Sequence, residues 1–451
     1  MRFGTDGIRG VANVDITPEL VVALGRAAAR VLDGPFVIGR DTRRSGPMLE
    51  AALVAGLTAG GAAVATMGVV PTPAVAFATA AGSGAVISAS HNPFADNGIK
   101  LFAAGGRKLA DDVEAALEAE LIRVLDGSPD ASHDGEPGGE SGAAVGTVTP
   151  AADLVDGYVD HLVGALDGRT LDGVSVVVDC GHGAASRVAP RALRAAGATV
   201  TALHITPDGT NINAGCGSTD PSGLQREVVA RGAAAGLAFD GDADRVIAVD
   251  ERGALVDGDQ ILAVCARDLA TRGALAHRTI AVTVMSNLGL RRALAAEQID
   301  IVVTPVGDRH VREAMDRDGL VLGGEQSGHV IFAEHAMTGD GTLTGMLLLD
   351  VMHRAGVPLS ELAAMVTRLP QELANVAVAD RDGLERAADF WAEVRAVKAE
   401  LGDGGRVLVR PSGTEPVVRI MVEAPTDETA RALVDRLAAS LITHLGAPTD
   451  A

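Results

Sequence analysis

Aromatic residues are scarce in this chain: Phe, Trp and Tyr make up 2% of its 451 residues. Apolar residues as a whole reach 47%, which is ordinary for a globular protein. The cores must therefore be filled by Ala, Val, Leu and Ile. A chain of this length is expected to form about three domains.

Cysteines are also few, and the three in the chain, Cys180, Cys216 and Cys265, lie far apart. Their number is odd, and no two have the close spacing that is typical of metal ligands. We therefore expect neither a disulfide framework nor a structural zinc site.

Long apolar runs are absent, since none approaches the roughly 18 residues that a membrane span needs. The N-terminus begins Met-Arg-Phe-Gly-Thr-Asp-Gly and lacks the apolar core of a signal peptide. The expectation is a soluble, cytoplasmic protein with no membrane partner.

Basic residues are outnumbered, 38 against 59 acidic residues, which gives a formal net charge of −21. An acidic surface repels phosphodiester backbones, so nucleic acid is not expected as a partner. A phosphorylated substrate would need a local basic site set against this overall field.

What the chain does contain is strands alternating with amphipathic helices, a pattern that predicts α/β sheets. We divide the chain into three α/β blocks, residues 1–150, 151–255 and 256–370, followed by residues 371–451. The last segment has the pattern strand, helix, strand, strand, helix, which predicts a compact α+β module.

The run Ser88-Ala89-Ser90-His91-Asn92-Pro93 follows apolar residues 84–87, which predict a buried strand. Ligands of α/β sheets bind where strands end in loops, and Ser90 lies at such an end. Lys100 lies shortly beyond it, in the next predicted strand. Ser, Asn and Pro also favour plain turns. From these residues alone, a turn and a site of phosphate chemistry both remain open.

Two further loops contain both glycine and arginine. Residues 3–10 hold three glycines and Arg9; glycines let the backbone approach a ligand, and an arginine can bind an anion. A plain N-terminal turn is the alternative reading. Residues 39–46 form a basic turn before a predicted helix.

The run Asp240-Gly241-Asp242-Ala243-Asp244-Arg245 has a carboxylate at every second position, between two apolar segments. Anions about 4 Å apart would repel one another by roughly 4 kcal/mol per pair. A cation must lie among them, and carboxylate oxygens favour Mg²⁺, Mn²⁺ or Ca²⁺. An EF-hand is disfavoured, because Arg245 replaces its required glycine and the flanks resemble strands. A plain acidic turn is the other alternative, although solvated charge runs seldom lie between apolar strands.

With these motifs the chain resembles the α-D-phosphohexomutase superfamily. The resemblance runs nearly end to end through five motifs in family order: residues 3–10, 88–100, 240–245, 323–329 and 410–419. It implies three similar α/β domains and a smaller C-terminal α+β domain around a central cleft.

The resemblance also implies roles for particular residues. Ser90 would be a phosphoserine that donates its phosphoryl group, beside Mg²⁺ held by Asp240, Asp242, Asp244 and a phosphoryl oxygen on Ser90. Lys100 and His329 would carry protons. Arg9 and Arg245 would stabilise the phosphoryl group, and His91 would orient the loop. The implied substrate-binding residues are Glu325, Ser327, Arg410, Ser412, Gly413, Thr414 and Arg419.

Finer detail is similar to the branch of the superfamily that acts on glucosamine phosphates: Gln326, residues 211–219 and residues 306–309. That branch implies interconversion of glucosamine 6-phosphate and glucosamine 1-phosphate through a 1,6-bisphosphate. The product would feed UDP-N-acetylglucosamine and cell-wall synthesis. Glucosamine 1,6-bisphosphate or glucose 1,6-bisphosphate would be the activator. The sequence does not decide the oligomeric state, and a homodimer is one of the states that it allows.

Three other functions compete with this interpretation. The nearest is a mutase of the same superfamily that acts on glucose or mannose phosphates. A non-catalytic sensor of divalent cations and sugar phosphates belongs to a different class, and it would carry no phosphoserine. A phosphatase with Asp240 as nucleophile is the third, and it would release free phosphate.

Overall fold

The computed structural model describes residues 7–32, 34–80, 82–127, 140–412 and 417–446. The chain forms two compact units: Met1–Met285 with Gln298–Met365, and Ser286–Glu297 with Val366–Ala451. Among the described residues, no helix is both long enough and apolar enough to cross a membrane.

The first part of the chain folds around a seven-stranded sheet with strand order β1-β5-β4-β2-β3-β7, in which β6 pairs with β5. Its elements are β1 (Ile8–Val11), α1 (Pro18–Val31), β2 (Phe36–Arg40), α2 (Gly46–Ala59), β3 (Val64–Val69), α3 (Thr72–Ala78), β4 (Ser83–Ile87), β5 (Asp96–Ala103), β6 (Arg107–Lys108), α4 (Asp111–Leu125) and β7 (Val148–Pro150). Thr17 caps α1, accepting a hydrogen bond from Leu20 N at 3.3 Å.

The second α/β block has a five-stranded sheet with order β12-β11-β10-β8-β9. Its elements are α5 (Ala152–Gly164), β8 (Ser175–Asp179), α6 (Ala185–Ala195), β9 (Thr199–Leu203), α7 (Ser222–Arg231), β10 (Ala235–Phe239), β11 (Val246–Asp250) and β12 (Leu255–Val256). The acidic run therefore lies in the tight turn between two buried strands, β10 and β11.

The third block has a four-stranded sheet with order β14-β13-β15-β16. The elements from here to the tail are α8 (Gly258–Thr271), β13 (Thr279–Thr283), α9 (Leu288–Ala296), β14 (Asp300–Thr304), α10 (Asp308–Asp318), β15 (Leu322–Gly324), β16 (Val330–Phe332), α11 (Gly341–Ala355) and α12 (Leu359–Ala363). Of these, α9 belongs to the C-terminal unit.

The three sheets repeat one pattern. Each contains three neighbouring parallel strands followed by one antiparallel strand: β3-β2-β4-β5, β9-β8-β10-β11 and β14-β13-β15-β16. The antiparallel strand follows its parallel neighbour directly, so the loop between them lies at the carboxyl end of the last parallel strand. The Ser90 loop, the acidic turn and residues 325–329 all occupy this position.

The C-terminal unit is smaller and has a three-stranded antiparallel sheet, β17-β19-β18. Its elements are β17 (Gln371–Ala377), α13 (Ala388–Leu401), β18 (Arg406–Pro411), β19 (Val417–Glu423) and α14 (Asp427–Leu445). Helix α9 joins this unit: Leu288 N donates to Glu423 Oε2 at 2.9 Å, and Asn287 Nδ2 donates to the Leu369 carbonyl at 3.0 Å. Three α/β sheets and a smaller α+β module confirm the predicted fold class.

Short 3₁₀ helices complete the secondary structure, at Gly142–Ala144, Gly217–Thr219, Ala276–Arg278, Arg381–Arg386 and Gly402–Gly404. The cores are almost wholly aliphatic, as the shortage of aromatic residues predicts. The largest cluster of the first block packs α1, α2 and α4 on the sheet through residues such as Leu24, Leu53 and Leu117.

Candidate active site

Ser90 lies in the loop between β4 and β5 and is almost fully buried. Its φ of +51° is left-handed, which is uncommon for a residue with a side chain. The backbone N–H donates to Ser88 Oγ at 2.9 Å, and Ser90 Oγ donates to Asp240 Oδ2 at 2.5 Å. The loop therefore aims the hydroxyl at the acidic turn of the second block.

A buried arginine holds this loop in place. The guanidinium of Arg43 donates to four backbone carbonyls, those of Ser90 at 2.9 Å, Asn92 at 2.8 Å, Asp96 at 2.9 Å and Pro93. Its Nε donates to Asp41 Oδ2 at 2.8 Å, an oxygen that also accepts from Ser88 Oγ at 2.7 Å. One ion pair, fully buried on both sides, thus fixes the backbone around Ser90.

The acidic turn brings Asp240, Asp242 and Asp244 together. Each offers an oxygen, and these oxygens lie within 4.8 Å of one another. All three side chains are buried, and Ala243 between them has a left-handed φ of +56°. Alternate spacing at a strand end does let the carboxylates converge. Because the flanking elements are strands, the EF-hand alternative is wrong.

Donors from the protein meet only some of the oxygens of these three carboxylates. Lys100 Nζ lies 2.8 Å from Asp242 Oδ2 and 3.4 Å from Asp244 Oδ2. Thr72 Oγ1 donates to Asp242 Oδ2 at 2.6 Å. Among the described residues, Asp242 Oδ1 and Asp244 Oδ1 are buried without a hydrogen-bond partner. Buried anionic oxygens without donors are costly unless a cation meets them. An all-oxygen set of this kind fits a hard divalent ion such as Mg²⁺.

The local electrostatics differ from one carboxylate to the next. Burial, followed by the charges of Asp244 and Asp242, raises the pKa of Asp240 well above its usual range. Burial also disfavours the charged form of Asp242, but the charge and hydrogen bond of Lys100 outweigh it, so the pKa of Asp242 is lowered. An added cation would therefore favour the ionised form of Asp240, the carboxyl that contacts Ser90.

Basic groups flank the serine on its other side. Arg245 Nη1 lies 3.3 Å from His91 Nδ1, which lies 3.4 Å from Ser90 Oγ. Burial, followed by the charges of Arg245 and Arg9, lowers the pKa of His91. Burial disfavours the charge of Arg245, yet Asp244 and Asp240 outweigh it and raise its pKa. Arg245 is thus a permanent cation, while a neutral His91 suits the loop-orienting role assigned from the sequence.

Residues 325–329 form the corresponding loop of the third block. The Gly328 carbonyl accepts from Val246 N at 3.1 Å, which ties this loop to the strand just after the acidic turn. Glu325 Oε1 accepts from Gly307 N at 3.1 Å, and Ser327 Oγ donates to Glu325 Oε2 at 3.5 Å. The three loops are therefore neighbours, as their equal positions in the three sheets suggest.

Gln326 and His329 of this loop contact other parts of the third block. Gln326 Nε2 donates to Asp257 Oδ2 at 3.2 Å, and Asp257 is the N-cap of α8. The amide therefore anchors the loop. His329 is buried; its Nε2 accepts from Gly339 N at 3.2 Å and lies 3.6 Å from Asp308 Oδ2. Of the two proton carriers inferred from the sequence, only Lys100 contacts the carboxylates in this conformation.

The motif of the C-terminal unit lies on the hairpin β18–β19. Arg410 stands directly opposite Arg419, and burial, followed by the Arg419 charge, lowers the pKa of Arg410. Ser412 is buried, and its N–H donates to the Val417 carbonyl at 2.9 Å. Like charges face to face are unfavourable without an anion between them. Gly413 and Thr414, like residues 3–6 of the opening motif, lie outside the described residues.

Sequence reasoning missed three residues that build the site. It treated residues 39–46 only as a basic turn, although Arg43 in that turn holds the Ser90 loop. Asn213 Nδ2 donates to the Ser90 carbonyl at 2.9 Å, and Thr72 bridges the first block to Asp242. A signal existed for Arg43, since Asp41 lies two residues before it and can form an ion pair with it. None existed for Thr72, whose partner is 170 residues away.

Comparisons with known proteins agree with this architecture. Four phosphoglucomutase/phosphomannomutase family models match the chain: domain I over residues 1–125, domain II over 156–253, domain III over 257–369 and the C-terminal domain over 373–440. The chain is 54% identical to the phosphoglucosamine mutase of Frankia alni, with 99% of each chain covered. It is 53% identical to the phosphoglucosamine mutase of Salinispora tropica, with 97% of each covered.

Solved structures show the same likeness. A phosphoglucomutase/phosphomannomutase family protein from Burkholderia thailandensis has a TM-score of 0.79 at 26% identity, covering 98% of this chain and 97% of that one. The N-acetylphosphoglucosamine mutase of Aspergillus fumigatus, solved with GlcNAc-6P and magnesium, shares the fold with a TM-score of 0.70 at 21% identity, covering 99% and 96%. The chain therefore belongs to the phosphoglucomutase/phosphomannomutase family of α-D-phosphohexomutases.

Proposed function

We propose that the chain interconverts glucosamine 6-phosphate and glucosamine 1-phosphate through a phosphoserine at Ser90. The observation that carries this proposal is the 2.5 Å contact between Ser90 Oγ and Asp240 Oδ2 in a buried carboxylate cluster. Phosphorylation replaces the donated proton with a group of about −1.5 to −2 charge. Phosphate and carboxylate can share this position only with a cation between them.

The reaction consists of two phosphoryl transfers. The O1 hydroxyl of glucosamine 6-phosphate attacks the phosphorus on Ser90; the O1–P bond forms, the P–Oγ bond breaks, and the O1 proton leaves to a base. The bisphosphate turns round, and Ser90 Oγ takes the phosphoryl group from O6, which regains a proton. The net change is the movement of one phosphate from O6 to O1.

The side chains divide this work. Mg²⁺, held by Asp240, Asp242, Asp244 and an oxygen on Ser90, would neutralise charge on the phosphoryl group during transfer. Arg245 and Arg9 place permanent positive charge beside the same group. Lys100, held against Asp242 at 2.8 Å, is the nearest candidate for the proton carrier. His329 would take this part only after moving, since its contacts are to Gly339 and Asp308.

Substrate binding falls to two further groups of residues. Glu325 and Ser327 would bind sugar hydroxyls that look alike in both orientations of the bisphosphate. Arg410, Ser412, Gly413, Thr414 and Arg419 would hold the phosphate that is not reacting, through guanidinium groups, hydroxyls and backbone N–H groups. In this scheme the four segments 1–150, 151–255, 256–370 and 371–451 supply, in turn, phosphoserine, metal ligands, sugar ligands and phosphate ligands.

The proposal also covers the activator, the pathway, the cell compartment and the oligomeric state. Glucosamine 1,6-bisphosphate or glucose 1,6-bisphosphate would restore the phosphoserine if the intermediate escapes. The product would feed UDP-N-acetylglucosamine and cell-wall synthesis in the cytoplasm, and the enzyme would work as a homodimer or a monomer, without nucleic acid or membrane. Light scattering of the purified protein decides the oligomeric state.

The test is a substrate panel run with phosphorylated protein: the 6-phosphates of glucosamine, glucose and mannose, each with added bisphosphate and Mg²⁺. We expect the highest kcat/KM on glucosamine 6-phosphate and almost no turnover in Ser90→Ala. Ser222→Ala, a change at an exposed serine, is the matched control and should behave as the unmodified protein. Preference for glucose or mannose phosphate would contradict the substrate, and release of free phosphate would favour the phosphatase alternative.

A further inference from the structure

A second cluster of potential metal ligands lies outside the proposed active site. It consists of Asp179, His204 and Cys216, whose ligand atoms lie within 4.8 Å of one another. Asp179 ends β8, His204 follows β9, and Cys216 precedes the 3₁₀ helix Gly217–Thr219. Three separate segments therefore converge at one end of the second sheet with one carboxylate, one imidazole and one thiol.

The carboxylate of Asp179 is poorly satisfied for a fully buried anion. Its Oδ1 accepts from Gly181 N at 2.9 Å and lies 2.9 Å from His204 Nδ1. Its Oδ2 is buried without a hydrogen-bond partner among the described residues. In the described part of the chain its one ion-pair partner is His204. A buried carboxylate oxygen in this state is costly, and a cation beside it would remove the cost.

The neighbouring groups suit a cation as well. Cys216 is buried and its thiol is free, whereas the His204 side chain keeps 33% of its surface exposed, which leaves a path from solvent. The ring of His182 packs edge-on against His204 with centroids 5.1 Å apart, and His182 Nδ1 is buried with no hydrogen-bond partner among the described residues. The site thus offers three ligands, with His182 Nδ1 nearby.

We propose that Asp179, His204 and Cys216 bind one borderline-soft divalent ion of the Zn²⁺ class. Imidazole, thiolate and carboxylate together are a typical ligand set for Zn²⁺, whereas the all-oxygen set at Asp240 suits Mg²⁺. On binding, the Cys216 S–H bond gives way to a sulfur–metal bond, and the proton leaves to solvent. The ion also takes the place of the proton between His204 Nδ1 and Asp179, and the imidazole stays neutral by carrying its single proton on Nε2. Water completes the coordination.

The site has a direct structural link to Ser90. The Gly181 carbonyl accepts from Asn213 N at 2.9 Å, and Asn213 Nδ2 donates to the Ser90 carbonyl at 2.9 Å. Thr42 Oγ1, next to Arg43 in the chain, donates to the His182 carbonyl at 2.6 Å. An ion here would brace the contact between the first two blocks beneath the Ser90 loop. Residues 179, 204 and 216 lack the close pair spacing of usual zinc motifs, which explains why the sequence predicted no such site.

The experiment is a Co²⁺ titration of the full chain in excess Mg²⁺, which occupies the oxygen-only site. Thiolate ligation of Co²⁺ gives a charge-transfer absorption band that oxygen ligands do not give. We expect the band to saturate at one equivalent, to disappear in Cys216→Ser, and to require about tenfold more Co²⁺ in His204→Ala. Cys265→Ser, a change at a buried cysteine in α8, is the matched control and should keep the band.

Two further readouts complete the test. Zn²⁺ in place of Co²⁺ should raise the Tm of the unmodified protein and of Cys265→Ser, because it binds only the folded state. His204→Ala, at a half-exposed position, should fold normally and show a smaller shift at the same Zn²⁺ concentration. Absence of a charge-transfer band in the unmodified protein, or its persistence in Cys216→Ser, would overturn the proposal without bearing on mutase activity.

Discussion

Ser90 has three neighbours with distinct tasks: Arg43 fixes its backbone, Asp240 contacts its hydroxyl, and His91 lies at its side. The fixed backbone matters because, in the proposed reaction, the Ser90 hydroxyl has to carry and release phosphate in one direction. The left-handed φ of +51° is uncommon for serine. Without Arg43, each of the four carbonyls that it binds would lose a donor. Catalytic geometry in this loop therefore depends on a residue that touches no substrate.

The first prediction concerns Arg43. Arg43→Lys keeps the charge but cannot reach four carbonyls at once, so buried acceptors lose their donors. We expect a loss of about 3 kcal/mol in the free energy of unfolding and a large drop in kcat, measured by urea denaturation and by turnover. Arg44→Lys, at the exposed neighbouring position, is the control. Equal stability of the two variants would show that the loop does not need the guanidinium.

The second prediction concerns Asp242. Asp242→Asn removes one anion and leaves Lys100 Nζ without its 2.8 Å partner. We expect turnover to fall by roughly 10² to 10³-fold and the Mg²⁺ concentration for half-maximal rate to rise. A Mg²⁺ titration of the initial rate measures both, with the exposed Asp112→Asn as control. An unchanged Mg²⁺ titration would remove Asp242 from the metal site.

At the scale of elements, the start of α11 contains a titrating group. Asp340 caps this helix, accepts from Leu343 N at 2.9 Å and from Tyr158 OH at 2.7 Å, and is buried. Burial raises the pKa of Asp340 from 3.8 to about 6. The folded state thus binds this proton more tightly than the unfolded chain does. Ionisation of Asp340 lowers the stability of the folded state above about pH 6. This destabilisation declines as the pH falls toward the pKa of Asp340 in the unfolded chain.

The third prediction follows from the raised pKa of Asp340 in the folded state. Asp340→Asn cannot ionise, so its free energy of unfolding relative to the unmodified protein should be most favourable above about pH 7. This relative advantage should shrink by roughly 1 to 2 kcal/mol between about pH 7.5 and about pH 5. Urea denaturation across that range measures it. Asp153→Asn, an exposed change in the first turn of α5, should show no such trend. A difference that is flat with pH would mean that Asp340 has an ordinary pKa.

The hairpin β18–β19 carries the fourth prediction. Arg410 and Arg419 face each other across the strands, so Arg410→Gln should relieve repulsion and stabilise the C-terminal unit by about 0.5 kcal/mol. The same change should raise KM for glucosamine 6-phosphate by about tenfold or more, since a bidentate phosphate ligand is lost. Calorimetry and steady-state kinetics test the two effects. Arg395→Gln, exposed on α13, is the control, and an unchanged KM would exclude Arg410 from substrate binding.

At the scale of the whole molecule, much of the fold could be predicted from the sequence. Strand and helix periodicity gave the three α/β blocks and the final module, and both Ser90 and the acidic run were placed at strand ends. These features can be recognised within short segments of the sequence, or they recur in each of the three sheets. The contacts that complete the site were not predictable, because Arg43, Asn213 and Thr72 meet partners 47 to 170 residues away. Their placement depends on how sheets pack, which no local pattern encodes.

The sequence did not specify two features that depend on long-range geometry. Its expectation that no zinc site exists rested on cysteine spacing, while the structure gathers a thiol, an imidazole and a carboxylate from three segments. Gln326, which the motif placed in a sugar-binding loop, anchors that loop to Asp257. Motifs locate a loop reliably, but the direction of each side chain in it follows from packing.

The central claim is that Ser90 stores the phosphate that the sugar receives. Its most direct test is a single turnover: protein labelled with ³²P on Ser90 is mixed with unlabelled glucosamine 6-phosphate and quenched at short times. The account predicts that the label leaves Ser90 and appears first in a sugar bisphosphate, then in glucosamine monophosphate, with no labelled inorganic phosphate. Label that stays on the protein while product forms, or that appears as free phosphate, would contradict it.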